Sequence, residues 1–298
     1  MPQASRDIQR RLKSVRSIKK ITRAMELVSA SKMRKSVSRV LATRPYAESA
    51  WRMVMDLIPK IDPSHHPLLA ERPVKRAAIV VISSNRGLCG AFNMNVVHKA
   101  LKLIEKEGWD RNVVDFITFG RQGGHILGSL KRNIVADYPK ADITASIDDV
   151  LSVSNEMVGG FLAKRYDEVC VAYTDFRSSL RQETRIRHIL PLVKPSRFLG
   201  QVEKAPQENG ADFAEFLFEP SRDAVLESLL PRLIEVQVYQ AVLESEASEH
   251  SARMLAMRNA TDSATDMLDS LSLAFNQARQ AGITAELAEI SAATVALQ

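Results

Sequence analysis

The chain is 298 residues long, 45% hydrophobic and 26% charged, with a formal net charge of +6 and a pI near 9.3. That length admits one to three folded domains, and the composition excludes an intrinsically disordered chain. Two cysteines, Cys89 and Cys170, exclude a disulfide scaffold and read as reduced, buried thiols, and the lack of any 18-residue apolar run excludes a transmembrane helix.

The charge is unevenly placed. Residues 1–44 hold 13 Lys or Arg against two acids, Asp7 and Glu26, a local balance of +11. Residues 221–298 hold 11 acids against five Arg, a balance of −6, which leaves +1 for the middle of the chain. The basicity is therefore local.

The first residues, MPQASRDIQRR, contain no apolar signal core, so the expected context is the bacterial cytoplasm. Ile8, Leu12, Val15, Ile18, Ile21, Met25 and Val28 recur at steps of three and four, which predicts one apolar face on a helix. Pro45 is a point where that helix could end or kink, because proline has no amide donor. The pattern resumes through Tyr46, Trp51, Val54 and Ile58. Pro59, Pro63, Pro67 and Pro73 then predict a linker.

The middle segment changes character. The run Ala77–Ile82 predicts a buried strand. A helix over roughly 93–106 follows, then a strand over Val113–Phe119, a turn containing Gly120, Gly123 and Gly124 with a helix after it, and a strand at Ile134–Ala136. A helix around 147–164 and strands at Val169–Tyr173 and Arg185–Leu190 complete the series. This alternation predicts an α/β layer with a mainly parallel sheet. Residues 200–212 are polar and predict a loop.

The last segment is helical throughout, with apolar positions from Leu226 through Leu233, Val242, Met257, Met267 and Phe275 to Ile290. Roughly 70 helical residues rise on the order of 100 Å, too long to stand without a partner. The basic first helix and the acidic last helix can bury their stripes against each other, with the globular middle strung between them. The last helix is the longer and overhangs. Its end, Ala281–Leu297, is rich in Ala and small polar residues, which suits a close-fitting sleeve.

Catalytic and ligand motifs are missing from the sequence. There is no GxxxxGK[ST] phosphate loop, and Gly87-Leu88-Cys89-Gly90 is not GxGxxG. Ser83-Ser84 is not a GxSxG elbow, and the six histidines show no metal-ligand spacing. The expectation is no catalytic residue, no cofactor and no metal.

Several stretches resemble a known family. Ser17–Lys35 (SIKKITRAMELVSASKMRK) is similar to the N-terminal helix of the gamma subunit of F-type ATP synthases. Ser83–Gly90 (SSNRGLCG) resembles the turn after the first strand of its central domain, and Ala252–Asp262 and Asn276–Glu286 resemble its C-terminal helix. The resemblance runs in order over nearly the whole chain.

It implies an antiparallel coiled coil of long N- and C-terminal helices with a central Rossmann-like α/β domain. The implied boundaries are 1–58 for the first helix, 74–200 for the α/β domain and 212–298 for the last helix. It further implies a central-stalk rotor that makes no bonds itself and carries torque between a proton-driven c ring and the catalytic ring of alpha and beta subunits. Its partners would be alpha, beta, epsilon and the c ring, with no nucleic acid, one copy per complex, peripheral to the cytoplasmic face of a bacterial inner membrane. Arg279, Gln280, Thr284 and Glu286 match family positions that contact loops of beta, and Met25, Lys32, Arg34 and Lys35 match a stretch facing an acidic segment of beta. Phe216, Phe218 and Glu219 resemble the foot resting on c-ring loops, beside epsilon.

This chain departs from the family pattern at Gln277, where a cation is common, at Gly282, and at Ser291-Ala292-Ala293, where a glycine pair is frequent. Two other readings compete. Residues 6–44 could be a basic coiled-coil surface for nucleic acid, although no aromatic residue precedes Tyr46 to stack on a base. The middle could be an α/β enzyme with helical arms, which the missing site residues oppose. A plainer reading of the cations is a solvated face partly paired with the acidic last helix.

Overall fold

The computed structural model describes residues 3–57, 66–144, 146–192 and 222–296. The elements in chain order are α1 (Gln3–Leu57), β1 (Ala77–Ile82), α2 (Phe92–Glu107), β2 (Val114–Phe119), α3 (Arg121–Ser129), β3 (Ile134–Tyr138), α4 (Asp148–Leu162), β4 (Glu168–Phe176), β5 (Gln182–Leu190) and α5 (Arg222–Ala296). They divide into two compact units, Met1–Ser29 with Arg253–Gln298, and Ala30–Ala252. Both long helices contribute to both units.

The larger unit is built on one sheet, ordered β3-β2-β1-β4-β5. β1 pairs in parallel with β2 and β4, β2 pairs in parallel with β3, and only β5 runs antiparallel. β1 and β2 are buried along their whole length, as continuous β-branched and aromatic runs require when both faces are covered. On one face Ala77, Ile79 and Val81 meet Val96, Val97, Ala100 and Ile104 of α2. On the other, Ala78, Val80 and Ile82 meet α4 through Val153, Met157 and Phe161, and α5 through Leu230, Leu233, Ile234 and Val242.

Two glycines are set by close approach. Gly120 has φ of +109°, and a Cβ there would lie 2.3 Å from the carbonyl oxygen of Ser83. Gly160 packs under Tyr166, where a Cβ would meet the ring at 2.4 Å. Pro45 lies inside α1, so the helix neither ends nor breaks there, and Pro231 lies inside α5 in the same way. The predicted loop at 200–212 lies outside the described residues.

The sheet reverses strand order beside β1, the point where doubly wound sheets hold ligands beyond their strand ends. Here the crevice is filled by the chain itself. Ser83 Oγ donates to Gly120 O at 2.7 Å and accepts from Gly123 N at 2.8 Å. Ser84 N donates to Asn93 Oδ1 at 2.9 Å, and Asn85 Nδ2 donates to Lys140 O. On the β4 side, Thr174 N donates to Ser245 Oγ at 3.3 Å and Thr174 O accepts from Ser248 Oγ at 3.2 Å. The Ser83–Gly90 motif is therefore a structural clasp, and α5 occupies the crevice.

Candidate functional site

α1 and α5 pair through a seam of period 3.5. The buried positions of α1 are Leu12, Val15, Thr22, Ser29, Ser36, Val40 and Ala47. They fall on two heptad series, one from Leu12 to Val40 and Ala47, the other from Val15 to Thr22, Ser29 and Ser36. In the smaller unit, Thr261 Oγ1 donates to Thr22 Oγ1 at 2.8 Å. In the larger unit, Thr43 Oγ1 donates to Gln240 Oε1 at 2.9 Å, and Ala47 packs on Val236. A step of four forward on α1 is thus a step of four back on α5, so the pair is an antiparallel coiled coil.

This seam differs from the predicted stripe. Ile18, Ile21 and Val28 are about half exposed, at 49%, 57% and 55%. Steps of three from Leu12 fall behind the helix turn by about 60° each, so a 12-15-18-21 ridge leaves a seam that advances by 3.5. Small hydroxyl residues fill the contact instead, which lets the two backbones approach closely. The apolar residues left outside form an outward face. On α5, Met267, Leu273, Ile283, Leu287 and Ile290 are likewise exposed.

In the larger unit α5 passes through a polar belt. Every residue from 240 to 251 is buried, including Glu244, Glu246, Glu249 and His250. Buried charge requires partners; Gln240 donates to Glu244 Oε1 at 3.2 Å, and the loop after β3 supplies partners for Glu246 and Glu249. Lys140 Nζ donates to Glu249 Oε2 at 2.5 Å, with the two side chains only 2% and 8% exposed. Thr144 donates to Glu246 Oε1 through both its amide and its hydroxyl. The loop also holds α1, because Arg39 Nη1 donates to Thr144 O at 2.5 Å and Lys32 Nζ pairs with Asp142 at 3.3 Å. In the larger unit α1, the loop at 140–144 and α5 therefore meet at one place.

The belt shifts titrations in both directions. Burial and the neighbouring Asp175 push Glu244 up to about 8, against the pull of Gln240, Arg44 and Arg187. Burial also raises Glu246, against Lys140 and the Thr144 bonds. Burial pushes Asp142 up, but Lys32, Arg86 and His250 outweigh it and hold that carboxyl below its ordinary value. Burial raises the Cys170 thiol well above its ordinary range, so it is a neutral thiol.

The residues expected to touch partners are spread along the helices. Met25 is half buried, Arg34 and Lys35 are exposed, and Lys32 is committed in part to Asp142. Arg279, Gln280 and Thr284 are exposed near the end of α5, with Thr284 Oγ1 donating to Gln280 O at 3.0 Å. The side chain of Glu286 and the residues Phe216, Phe218 and Glu219 lie outside the described residues. A feature the sequence reading did not single out is a groove of about 1100 Å³ in the smaller unit, where Arg6, Arg10, Lys13 and Lys20 face Phe275 and Asn276. The i, i+3, i+4 and i+7 spacing of those cations was the available signal. Among the described residues no helix is long and apolar enough to cross a membrane.

Comparison with known proteins gives a consistent result. The family model described as ATP synthase matches residues 4–297. The ATP synthase gamma chain of Roseiflexus castenholzii is 41% identical over 296 residues, covering 99% of this chain and 98% of that one. The gamma chain of Moorella thermoacetica is 38% identical over 293 residues, covering 98% and 99%. A chain in the Euglena gracilis mitochondrial ATP synthase structure (OSCP/F1/c-ring, rotational state 3) superimposes with a TM-score of 0.68 at 18% identity, covering 99% of this chain and 94% of that chain. That last likeness concerns the fold. Identity near 40% across the full length of both partners concerns the family: this chain belongs to the gamma chains of ATP synthase.

Proposed function

We propose that the chain is the central-stalk rotor of a bacterial ATP synthase and carries torque without catalysing a reaction. The observation that carries this reading is the buried belt. A turning force applied to the α/β body must enter the coiled coil, and the belt offers fixed links for it. Lys140–Glu249 and Thr144–Glu246 grip α5, while Asp142–Lys32 and the Thr144 carbonyl to Arg39 grip α1. Because both helices are held by one loop, neither can slide without breaking charge-assisted bonds, buried on the α5 side and partly exposed on the α1 side.

In this reading Met25, Lys32, Arg34, Lys35, Arg279, Gln280, Thr284 and Glu286 meet the beta subunits, and Phe216, Phe218 and Glu219 meet the c ring beside epsilon. The complex holds the chain peripherally at the cytoplasmic face of the inner membrane, with proton flow as the driving force. The competing reading, a nucleic-acid-binding coiled coil, gains no support from the comparisons. Reconstitution with alpha and beta subunits tests the proposal. The complex is expected to hydrolyse ATP and to turn a bead fixed to the α/β body. A chain that stays apart from alpha and beta, or a complex whose ATPase is the same without it, would refute the rotor reading.

A further inference from the structure

β4 and β5 pair antiparallel, with Cys170 directly across from His188 and Glu168 two residues before Cys170. Residues i and i+2 of a strand share a face, and the cross-strand neighbour joins them there. The three side chains converge. Cys170 Sγ lies 3.3 Å from His188 Nδ1 and 3.6 Å from Glu168 Oε1, and His188 Nδ1 is hydrogen-bonded to Glu168 Oε1. All three donor atoms lie within 4.8 Å of one another.

We propose that Glu168, Cys170 and His188 form a binding site for a divalent cation of the zinc class. Tetrahedral zinc bonds N, O and S donors at about 2.0–2.3 Å, which sets those donors roughly 3.3–3.8 Å apart. Both contacts to Cys170 already have that separation. The His188–Glu168 pair must open to admit the ion, and the His188 side chain is 49% exposed. A cleft of about 810 Å³, lined by Lys99, Lys102, Lys106, Arg185 and Ile186, reaches His188. A thiolate and an imidazole select zinc, cobalt or nickel over magnesium or calcium. Thiolate and carboxylate together cancel the charge of the ion, so the surrounding lysines face a neutral site once it is filled. The sequence spacing hides the site, since 18 residues separate Cys170 from His188 and only strand pairing brings them together.

The test uses the full-length chain, stripped with chelator and titrated first with Co²⁺ and then with Zn²⁺. One equivalent of Co²⁺ is expected to produce visible ligand-field bands and a near-ultraviolet thiolate-to-metal charge-transfer band, both bleached by one equivalent of Zn²⁺. C170S should abolish the charge-transfer band, C89S should keep it, and H188Q should weaken binding at least roughly 10-fold. Thermal melts of each variant confirm that it is folded. A wild-type cobalt spectrum without the thiolate band, a band that persists in C170S, or unchanged affinity in both H188Q and E168Q would overturn the site. The plain Glu168–His188 ion pair above a buried thiol would then be the whole of it.

Discussion

Glu244 is one of several belt side chains whose ionisation is set by where α5 passes. Its carboxyl titrates at about 8 in the folded chain, against an ordinary value of 4.5, so the folded state holds a proton that the unfolded state has already lost. Between those two values the folded state binds more protons, and stability falls as pH rises. The contribution is fully present below pH 4.5 and is gone above pH 8. His188, raised by its hydrogen bond to Glu168, adds a slope of the same sign. The difference between parent and variant isolates Glu244: E244Q should flatten the decline in melting temperature across this range and be the more stable protein at pH 9. Equal slopes in parent and variant would contradict this assignment. Lys140 makes the opposite kind of case. Its partner Glu249 stays buried when the ammonium is removed, so K140M should cost about 3–5 kcal/mol in urea unfolding.

At the scale of elements, the coiled coil separates two residue sets that look alike in the sequence. Leu12 lies in the seam, 7% exposed, whereas Ile18 and Ile21 face outward. Leu12→Ala is therefore expected to lower stability by about 2 kcal/mol or more. Ile18→Ser and Ile21→Ser should stay within about 0.5 kcal/mol of the parent in the isolated chain. Equal losses at all three positions, measured by chemical denaturation, would mean that the predicted stripe and not the 3.5-residue seam is the contact. In the α/β body, Gly160→Ala forces the Tyr166 ring from its seat and should cost about 1–3 kcal/mol. The strands and short helices were legible because β-branched runs and Gly turns punctuate them locally. The seam was not, because Thr22, Ser29 and Ser36 carry no hydropathy signal, while Ile18, Ile21 and Val28 carry a strong one and lie outside it.

At the scale of the molecule, the register of the seam sets Gln3 opposite the region of Gln280. The α5 residues beyond it, including Ile283, Leu287 and Ile290, are exposed. Truncation after Gln280 should therefore leave the urea midpoint of the isolated chain unchanged, while ATPase and rotation of the reconstituted complex decline. A large loss of stability on truncation would instead assign this tip a role in the chain's own fold.

The long terminal helices, the α/β middle and the family are all legible along the chain, because helix period, strand runs and ordered motifs are local and additive. The positions expected to face partners were named from that likeness, and those within α1 and α5 are placed by helix register alone. Tertiary structure alone decided which face of α1 is the seam, why α5 tolerates a run of buried carboxylates, and how Glu168, Cys170 and His188 meet. Each of these depends on pairing between segments far apart in the chain. A glutamate is charged or neutral, and an isoleucine core or surface, according to what another element places against it.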